Sequence, residues 1–220
     1  MAGVFITMEG VEGSGKSTQV VKLAERLRAC GVPVAVSKEP GGTVLGGELR
    51  SLLLQPHPSG ERWSPKAELL LFYADRAQHV ARFIEPELAA GKVVLLDRFE
   101  DSTRAYQGAQ GIGEAVLDRL AEVVLDRLKP NLTLILDMEP EQALVRVESR
   151  NGRQADFRET RFDAEALDFH RRVRTRFLAI ARREPRRVAV IPAGQSEAAV
   201  AEAIWARVAP LMRTAGFGVE

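Results

Sequence analysis

Residues 10–18 read GVEGSGKST and combine glycines with a lysine and hydroxyl side chains. Gly10, Gly15, Lys16 and Ser17 match the spacing G-x-x-x-x-G-K-[ST], in which glycines let backbone N–H groups point at phosphate oxygens. In that arrangement the lysine reaches the β- and γ-phosphates and the serine hydroxyl binds Mg²⁺. The motif, called the P-loop below, predicts a nucleoside triphosphate site. Its predicted contacts are Gly10, Val11, Glu12, Gly13, Ser14, Gly15, Lys16, Ser17 and Thr18.

A carboxylate and a guanidinium follow a second apolar run, VVLLDR, at Asp97 and Arg98. In P-loop proteins an acid at the end of a buried strand supports the metal, directly or through water. Open α/β sheets bind ligands at the carboxyl ends of their strands, where both charges would lie. We therefore predict that Ser17 and Asp97 hold Mg²⁺. The alternative is that Asp97 is only a surface acid at the end of a strand.

Three further stretches suggest a small acceptor beside the nucleotide. In LFYADRAQH (71–79), Phe72 and Arg76 are four residues apart and share a helix face, so they could stack on a base and donate to its edge. A core phenylalanine beside a surface arginine is the alternative. The SKEPGGT turn (37–43) could approach a ligand closely, and DRFEDSTRAYQG (97–108) concentrates polar side chains after a strand.

The elements that must position these residues are short apolar runs separated by helical patterns. The runs are VFITME (4–9), VPVAVS (32–37), KVVLLD (92–97), LTLILD (132–137) and RVAVIP (187–192). Because they lack polar alternation, we expect strands covered on both faces. The alternation with helices predicts one three-layer α/β domain over residues 1–220, a P-loop NTPase fold with a five-stranded parallel sheet flanked by helices.

Residues 150–161, RNGRQADFRETR, are polar and arginine-rich without clear periodicity. They are interpreted as a loop between two helices, either a solvated connection or a short lid over about residues 149–162. The lid interpretation requires a function for its arginines.

Composition narrows the classes of partner. Of 220 residues, 45% are hydrophobic and 28% charged, with a net charge of +1, which argues against a general nucleic-acid or membrane-surface binder. Cys30 is the only cysteine, so an intramolecular disulfide is excluded. No apolar run approaches the roughly 18 residues of a membrane span. We expect a cytoplasmic protein.

The motifs GVEGSGKST, KEPGGT, LLFYADRAQH, DRFEDSTRAYQG and KPNLTLILD, in this order, closely resemble bacterial thymidylate kinases. The resemblance extends from Val4 to about Phe177. It implies transfer of the γ-phosphoryl group of ATP to dTMP with Mg²⁺, and it implies a homodimer.

Roles are also implied by the resemblance. Lys16 serves ATP, Glu12 approaches the sugar 3′-hydroxyl and metal-bound water, and Arg98 holds the dTMP phosphate in line. Phe72 stacks on thymine, Arg76 donates to O4, Ser102 and Gln107 face the N3 edge, and Tyr106 crowds a ribose 2′-hydroxyl. The implied dTMP contacts are Glu39, Pro40, Arg50, Phe72, Arg76, Arg98, Ser102, Tyr106 and Gln107.

Thymidylate kinases carry a catalytic arginine in the P-loop or in the lid. The variable P-loop positions hold no arginine here, so we expect the lid to supply it through Arg153 or Arg150. The alternative is that these arginines pair with acids on a solvated loop. The family's arginine before Glu-Pro-Gly-Gly is Lys38 in this chain, which keeps the charge but not the bidentate geometry.

Two other functions remain open at the level of sequence. One is a P-loop kinase for a different nucleoside monophosphate or small metabolite. The other is a non-catalytic nucleotide switch, which the polar set from Arg98 to Gln107 argues against.

Overall fold

The computed structural model describes residues 3–153 and 165–219, with the side chains of residues 150–153 outside the description. Its strands are β1 (Val4–Glu9), β2 (Val34–Lys38), β3 (Val93–Asp97), β4 (Leu132–Asp137) and β5 (Val188–Pro192). They form one parallel sheet in the order β2-β3-β1-β4-β5. The prediction of a five-stranded parallel sheet is therefore confirmed, and each strand lies within two residues of its predicted bounds.

Coverage of both sheet faces was expected for all five strands and holds for the inner three. Every residue of β1 is buried, as are most residues of β3 and β4. The expectation is wrong for β2 and β5, where Val36 and Val190 are each 37% exposed. These two strands form the edges of the sheet, so one side of each has no neighbouring strand to cover it.

Helices cover both faces of the sheet. They are α1 (Lys16–Ala29), α2 (Val44–Leu54), α3 (Pro65–His79), α4 (Glu85–Ala89), α5 (Glu100–Ala109), α6 (Glu114–Leu125), α7 (Pro140–Arg153), α8 (Leu167–Arg183) and α9 (Glu197–Thr214). A π-helical turn at Val80–Ile84 joins α3 to α4. Three helices have side-chain caps at their N-termini. The hydroxyls of Thr43, Ser64 and Ser196 accept hydrogen bonds from backbone N–H groups of α2, α3 and α9.

Alternate residues of β1 bury opposite faces, as the period of a strand requires. Phe5 packs edge-to-face on Phe99, with ring centroids 5.0 Å apart, in a cluster with residues of β3. Ile6 and Met8 belong to the main core together with Leu27 of α1. The central strand is thus fixed on both sides, which gives the P-loop after it a rigid base.

Helix α7 differs from the sequence interpretation. The loop was expected to begin at residue 150, but the helix continues through Arg153. Ala143 and Val147 of α7 are buried and hold the helix to the protein, and a polar sequence after them does not prevent helix propagation. Residues 154–162 of the predicted lid lie outside the described residues.

Candidate active site

The P-loop leaves the end of β1 and enters α1 at Lys16. Gly10, Gly13 and Gly15 have φ angles of 139°, 75° and 94°, a region that favours glycine. A Cβ atom at Gly13 would lie 2.2 Å from the carbonyl oxygen of Ala143 in α7. Conformation and space therefore both require glycine, and the loop is pressed against α7.

The side chain of Lys16 is buried and turns back over the P-loop. Its Nζ donates to the carbonyl oxygens of Val11 at 2.8 Å and Gly10 at 3.2 Å. Burial, assisted by the charge of Arg98, lowers the pKa of Lys16 from 10.5 to about 8. A nearby anion favours the ammonium form, so a bound phosphate would raise this pKa again.

Ser17 and Asp97 meet where β1 and β3 end side by side. The Ser17 hydroxyl donates to Asp97 Oδ2 at 2.5 Å. Mg²⁺ prefers oxygen ligands of this kind and keeps several waters or phosphate oxygens, so the pair fits the predicted metal site. Within residues 3–153 and 165–219 no cluster of three or more His, Cys, Asp or Glu could hold a metal by itself. A Mg²⁺ ion here would depend on the nucleotide for its other ligands.

Arg98 is the centre of a charged cluster between the P-loop and α5. Its guanidinium donates to the Gly10 carbonyl oxygen, Ser102 Oγ and Glu12 Oε1, each at 3.0 Å. The Tyr106 hydroxyl donates to Glu12 Oε2. Burial opposes ionisation of Glu12, but the charges of Arg98 and Lys16 outweigh it and lower the pKa of Glu12. The carboxylate is therefore held charged beside the predicted phosphates.

A second buried acid, Glu9, supports this cluster from below and was not predicted. Its Oε1 accepts from the Phe99 N–H at 2.8 Å and its Oε2 accepts from the Ser102 hydroxyl. Burial and the negative charge of Asp101 raise the pKa of Glu9 to about 8. The only sequence signal was an acid at the end of the apolar run VFITME. Ser102 is thus committed to protein partners, and its contact with thymine stays a prediction.

The turn after β2 and helix α2 form the wall opposite the P-loop. Arg50 of α2 donates to the Pro40 carbonyl oxygen at 2.8 Å. A Cβ atom at Gly41 would lie 2.9 Å from Cδ of Arg50, so glycine lets the arginine lie across the turn. The structure therefore brings the predicted residues Arg50 and Pro40 into direct contact.

Arg76 of α3 is held in a buried network. It is 2% exposed, and it donates through Nε to Glu39 at 2.8 Å and through its other two nitrogens to Glu100 and Thr103, each at 2.9 Å. His79 Nδ1 hydrogen-bonds to the other oxygen of Glu39 at 2.9 Å. Three of the five guanidinium N–H groups are thus engaged, and the predicted contact with thymine O4 would use the remaining two.

One cavity of about 320 Å³ joins the two walls. The predicted residues that line it are Glu12, Gly13, Gly15, Lys16, Ser17, Thr18, Glu39, Pro40, Arg50, Phe72, Arg76, Asp97, Arg98, Ser102, Tyr106 and Gln107. The predicted contacts Gly10, Val11 and Ser14 do not line it, and the side chains of Val11 and Ser14 are buried.

Other lining residues escaped the sequence analysis. They are Leu54, Phe99, Thr103 and Arg146, and Lys38 also lines the cavity. Arg146 belongs to α7 and precedes Arg150 by four residues and Arg153 by seven. That spacing was the available signal. The side chains of Arg150 and Arg153 lie outside the described part of the structure.

The sheet order and the P-loop at the central strand define a P-loop nucleotide-binding protein. The cavity extends from that loop to Arg50 and Phe72, an arrangement that fits an enzyme with a second ligand beside the nucleotide. Among the described residues, no helix is both long and apolar enough to cross a membrane.

Comparisons with known proteins all identify the same family. The thymidylate kinase family model matches residues 8–204. Thymidylate kinase of Solidesulfovibrio magneticus is 48% identical over 211 residues, which cover 95% of this chain and 100% of that protein. Thymidylate kinase of Caulobacter vibrioides is 49% identical over 203 residues, 92% of this chain and 94% of that protein. The crystal structure of thymidylate kinase from Ehrlichia chaffeensis has a TM-score of 0.75 and 33% identity, covering 95% of this chain and 99% of that one.

The chain therefore belongs to the thymidylate kinase family. It is a kinase, and the reaction of its family is the phosphorylation of dTMP to dTDP with ATP as the donor. The resemblance noted in the sequence is confirmed.

Proposed function

We propose that this chain binds ATP on the P-loop wall and dTMP on the opposite wall, and transfers the γ-phosphoryl group between them. The observation that carries the proposal is that Lys16, Arg98 and Phe72 line the same cavity. A lysine of a P-loop suits a triphosphate, and an aromatic ring beside a guanidinium suits a base with its phosphate. The two phosphates would then meet between the walls.

Positioning and charge neutralisation supply the rate of such a transfer. The acceptor phosphate is already an anionic nucleophile, so cations must offset its repulsion from the donor phosphate. Lys16, which is buried, and Arg98, which is partly buried, are the cations placed to do so. Glu12, fixed by Arg98 and Tyr106, would approach the sugar 3′-hydroxyl and metal-bound water.

Mg²⁺ would be held by Ser17 and, directly or through water, by Asp97. When bound, it would neutralise the charge that develops on the β- and γ-phosphate oxygens. The support for this assignment is the contact between the two oxygen donors beside the P-loop.

The base of dTMP would lie against Phe72, with Arg76 at O4 and Ser102 and Gln107 near N3. The turn at Glu39 and Pro40, together with Arg50, would close the acceptor wall. Tyr106 is buried and hydrogen-bonded to Glu12, so its rigid ring would leave no room for a ribose 2′-hydroxyl.

A further cation would come from α7. We propose Arg150 or Arg153, since this helix contacts the P-loop at Gly13 and its neighbouring Arg146 lines the cavity. The lid over about residues 149–162 would place that charge near the transferred group.

We propose that residues 1–220 form a single kinase domain that works in the cytoplasm. The support for one domain is that the last helix, α9, packs on the first helix, α1. The support for the cytoplasm is the single cysteine, Cys30, which fits a reducing compartment.

A homodimer is proposed because three adjacent helices carry exposed apolar side chains, which together are named the apolar face. This apolar face consists of Leu45 and Leu52 in α2, Leu70 in α3, and Val116 and Val123 in α6, which are between 45% and 81% exposed. α2 packs on α3 and α3 packs on α6. Large exposed apolar surface is typical of protein–protein contacts.

A panel of acceptors tests the proposed function. ADP release is measured with dTMP, dUMP, dCMP and AMP in turn, for the wild type and Arg98→Ala. We expect the highest kcat/KM with dTMP and a loss of about 100-fold or more in Arg98→Ala, since a partly buried cation beside the reacting phosphates is removed. Arg172→Ala, an exposed arginine, is the control. ATP turnover that ignored every monophosphate would instead favour a nucleotide switch.

A further inference from the structure

Glu68 is a buried carboxylic acid on the face of α3 that meets α5. It lies four residues before Phe72 and eight before Arg76, so all three share one helix face. Glu68 is only 1% exposed, although a buried acid is costly unless it is hydrogen-bonded. It is absent from the cavity lining, so it touches no ligand there.

Two of the contacts of Glu68 are with side-chain amides, one in α5 and one at its end. Its Oε1 accepts from Nε2 of Gln107 at 2.8 Å and from Nε2 of Gln110 at 3.1 Å. A carboxylate oxygen only accepts hydrogen bonds, so each amide must turn its NH₂ group toward Glu68. The reversed amide would place its carbonyl oxygen against the carboxylate and lose the hydrogen bond.

Of the two amides, only Gln107 lines the cavity. With one N–H of its NH₂ group donated to Glu68, the Gln107 amide is held with its carbonyl oxygen turned away from Glu68, where it can accept from a ligand. The orientation of this amide is therefore decided by a residue outside the cavity.

We infer that Glu68 is a specificity-determining positioning residue, which fixes the Gln107 carbonyl oxygen toward the acceptor base and thereby selects bases with an N–H group at N3. The inference rests on the proposed placement of dTMP. Thymine and uracil carry N3–H and can donate to that oxygen. Cytosine carries an unprotonated N3, which would face the oxygen lone pair to lone pair. Sites that depend on a hydrogen bond reject analogues that cannot form it.

Substitution Glu68→Gln tests the inference because it preserves shape while removing the restriction. Glutamine at this position can offer either an acceptor or a donor, so the Gln107 amide gains a second orientation that donates to N3 of cytosine. The experiment measures kcat/KM for dTMP, dUMP and dCMP. Glu25→Gln, the same change at an exposed site, is the matched control.

The expected result is that the dTMP to dCMP ratio of kcat/KM falls about tenfold in Glu68→Gln, chiefly because dCMP improves. The dTMP to dUMP ratio should stay unchanged, since both bases carry N3–H. A merely structural role would lower all three substrates together and leave both ratios constant, which would overturn the inference.

Folding of the variant is checked by its melting temperature. Should Glu68→Gln not fold, Glu68→Met, similar in length and without an acceptor, releases the same amide and predicts the same fall in the dTMP to dCMP ratio. If the wild type phosphorylates dTMP and the folded variant has the same substrate ratios as the wild type, only the role of Glu68 is contradicted. If the wild type does not phosphorylate dTMP, both the proposed function and this inference are contradicted.

Discussion

Arg98 has a φ angle of 71°, which is uncommon for a residue with a side chain and costs conformational energy. The conformation lets its backbone N–H donate to the Met8 carbonyl oxygen while its guanidinium reaches Gly10 and Glu12. Such strain persists only where surrounding contacts hold it. At the scale of single residues, the site is therefore built from buried charges fixed by other charges before any nucleotide binds.

The lowered pKa of Lys16 leads to a proton-linkage prediction. At pH 8.5 the lysine, with a pKa of about 8, is mostly neutral in the unliganded protein, and ATP phosphates would return it to the ammonium form. ATP binding should therefore take up most of one proton at pH 8.5 and almost none at pH 7, and affinity should fall as the pH rises above 8. Calorimetry in buffers of different ionisation enthalpy measures this uptake.

Lys16→Arg is the control for this linkage, because arginine stays charged at both pH values. Glu9 also has a pKa of about 8, and any proton that it takes up would remain in the variant. Equal uptake in the wild type and Lys16→Arg would show that Lys16 is not the group responsible.

Single residues of the site were predictable from sequence to different degrees. The P-loop was predictable because its residues are consecutive and their roles follow from one local backbone conformation. The hydrogen-bond network that fixes Arg76 was not predictable. Its members Glu39, Glu100 and Thr103 come from distant segments that only the fold brings together. The burial of Glu9 escaped for the same reason.

At the scale of elements, α7 links the P-loop to the arginine-rich segment. Its residue Ala143 lies against Gly13, and Arg146 lines the cavity three residues later. A helix that contacts the P-loop directly can hold a cation at a fixed distance from the phosphates more accurately than a solvated loop could.

Removal of the α7 cations should therefore affect turnover more than binding. We expect Arg150→Ala or Arg153→Ala to lower kcat by about 100-fold with a much smaller change in KM for dTMP, as for a group that acts in the transition state. Steady-state kinetics with both substrates measure this. The exposed Arg186→Ala is the control, and kcat within about twofold of wild type in both variants and in their double variant would contradict the assignment.

The bounds of the strands were predicted well where both faces of the strand are buried. Apolar runs located β1 and β4 to the residue, whereas β2 begins two residues later than expected, after Pro33. The end of α7 was misplaced because a polar, arginine-rich sequence is compatible with both a loop and an exposed helix. Its packing against the P-loop decides between them, and that contact is invisible in the sequence.

At the scale of the whole molecule, the exposed apolar face of α2, α3 and α6 suggests association of two copies. We expect the wild type to sediment at twice its mass of 24.2 kDa, and Leu70→Glu or Val123→Glu to give the monomer, since each places a charge in the apolar contact. Analytical ultracentrifugation measures this.

Val21→Glu is the matched control, because Val21 is 53% exposed on α1, outside the apolar face. It should leave the dimer intact. A wild type that stayed monomeric at all concentrations, or a control that dissociated equally, would show that the apolar face is not a dimer contact. The sequence alone could not locate this face, since exposure of these side chains depends on how the three helices pack.

The central claim is that two nucleotides share one cavity with their phosphates facing each other. A crystal structure with dTMP and a non-hydrolysable ATP analogue tests it most directly. We expect the thymine ring on Phe72, the dTMP phosphate within hydrogen-bond distance of Arg98, and the γ-phosphate at Lys16. dTMP bound outside this cavity, or phosphates too far apart for in-line transfer, would contradict it.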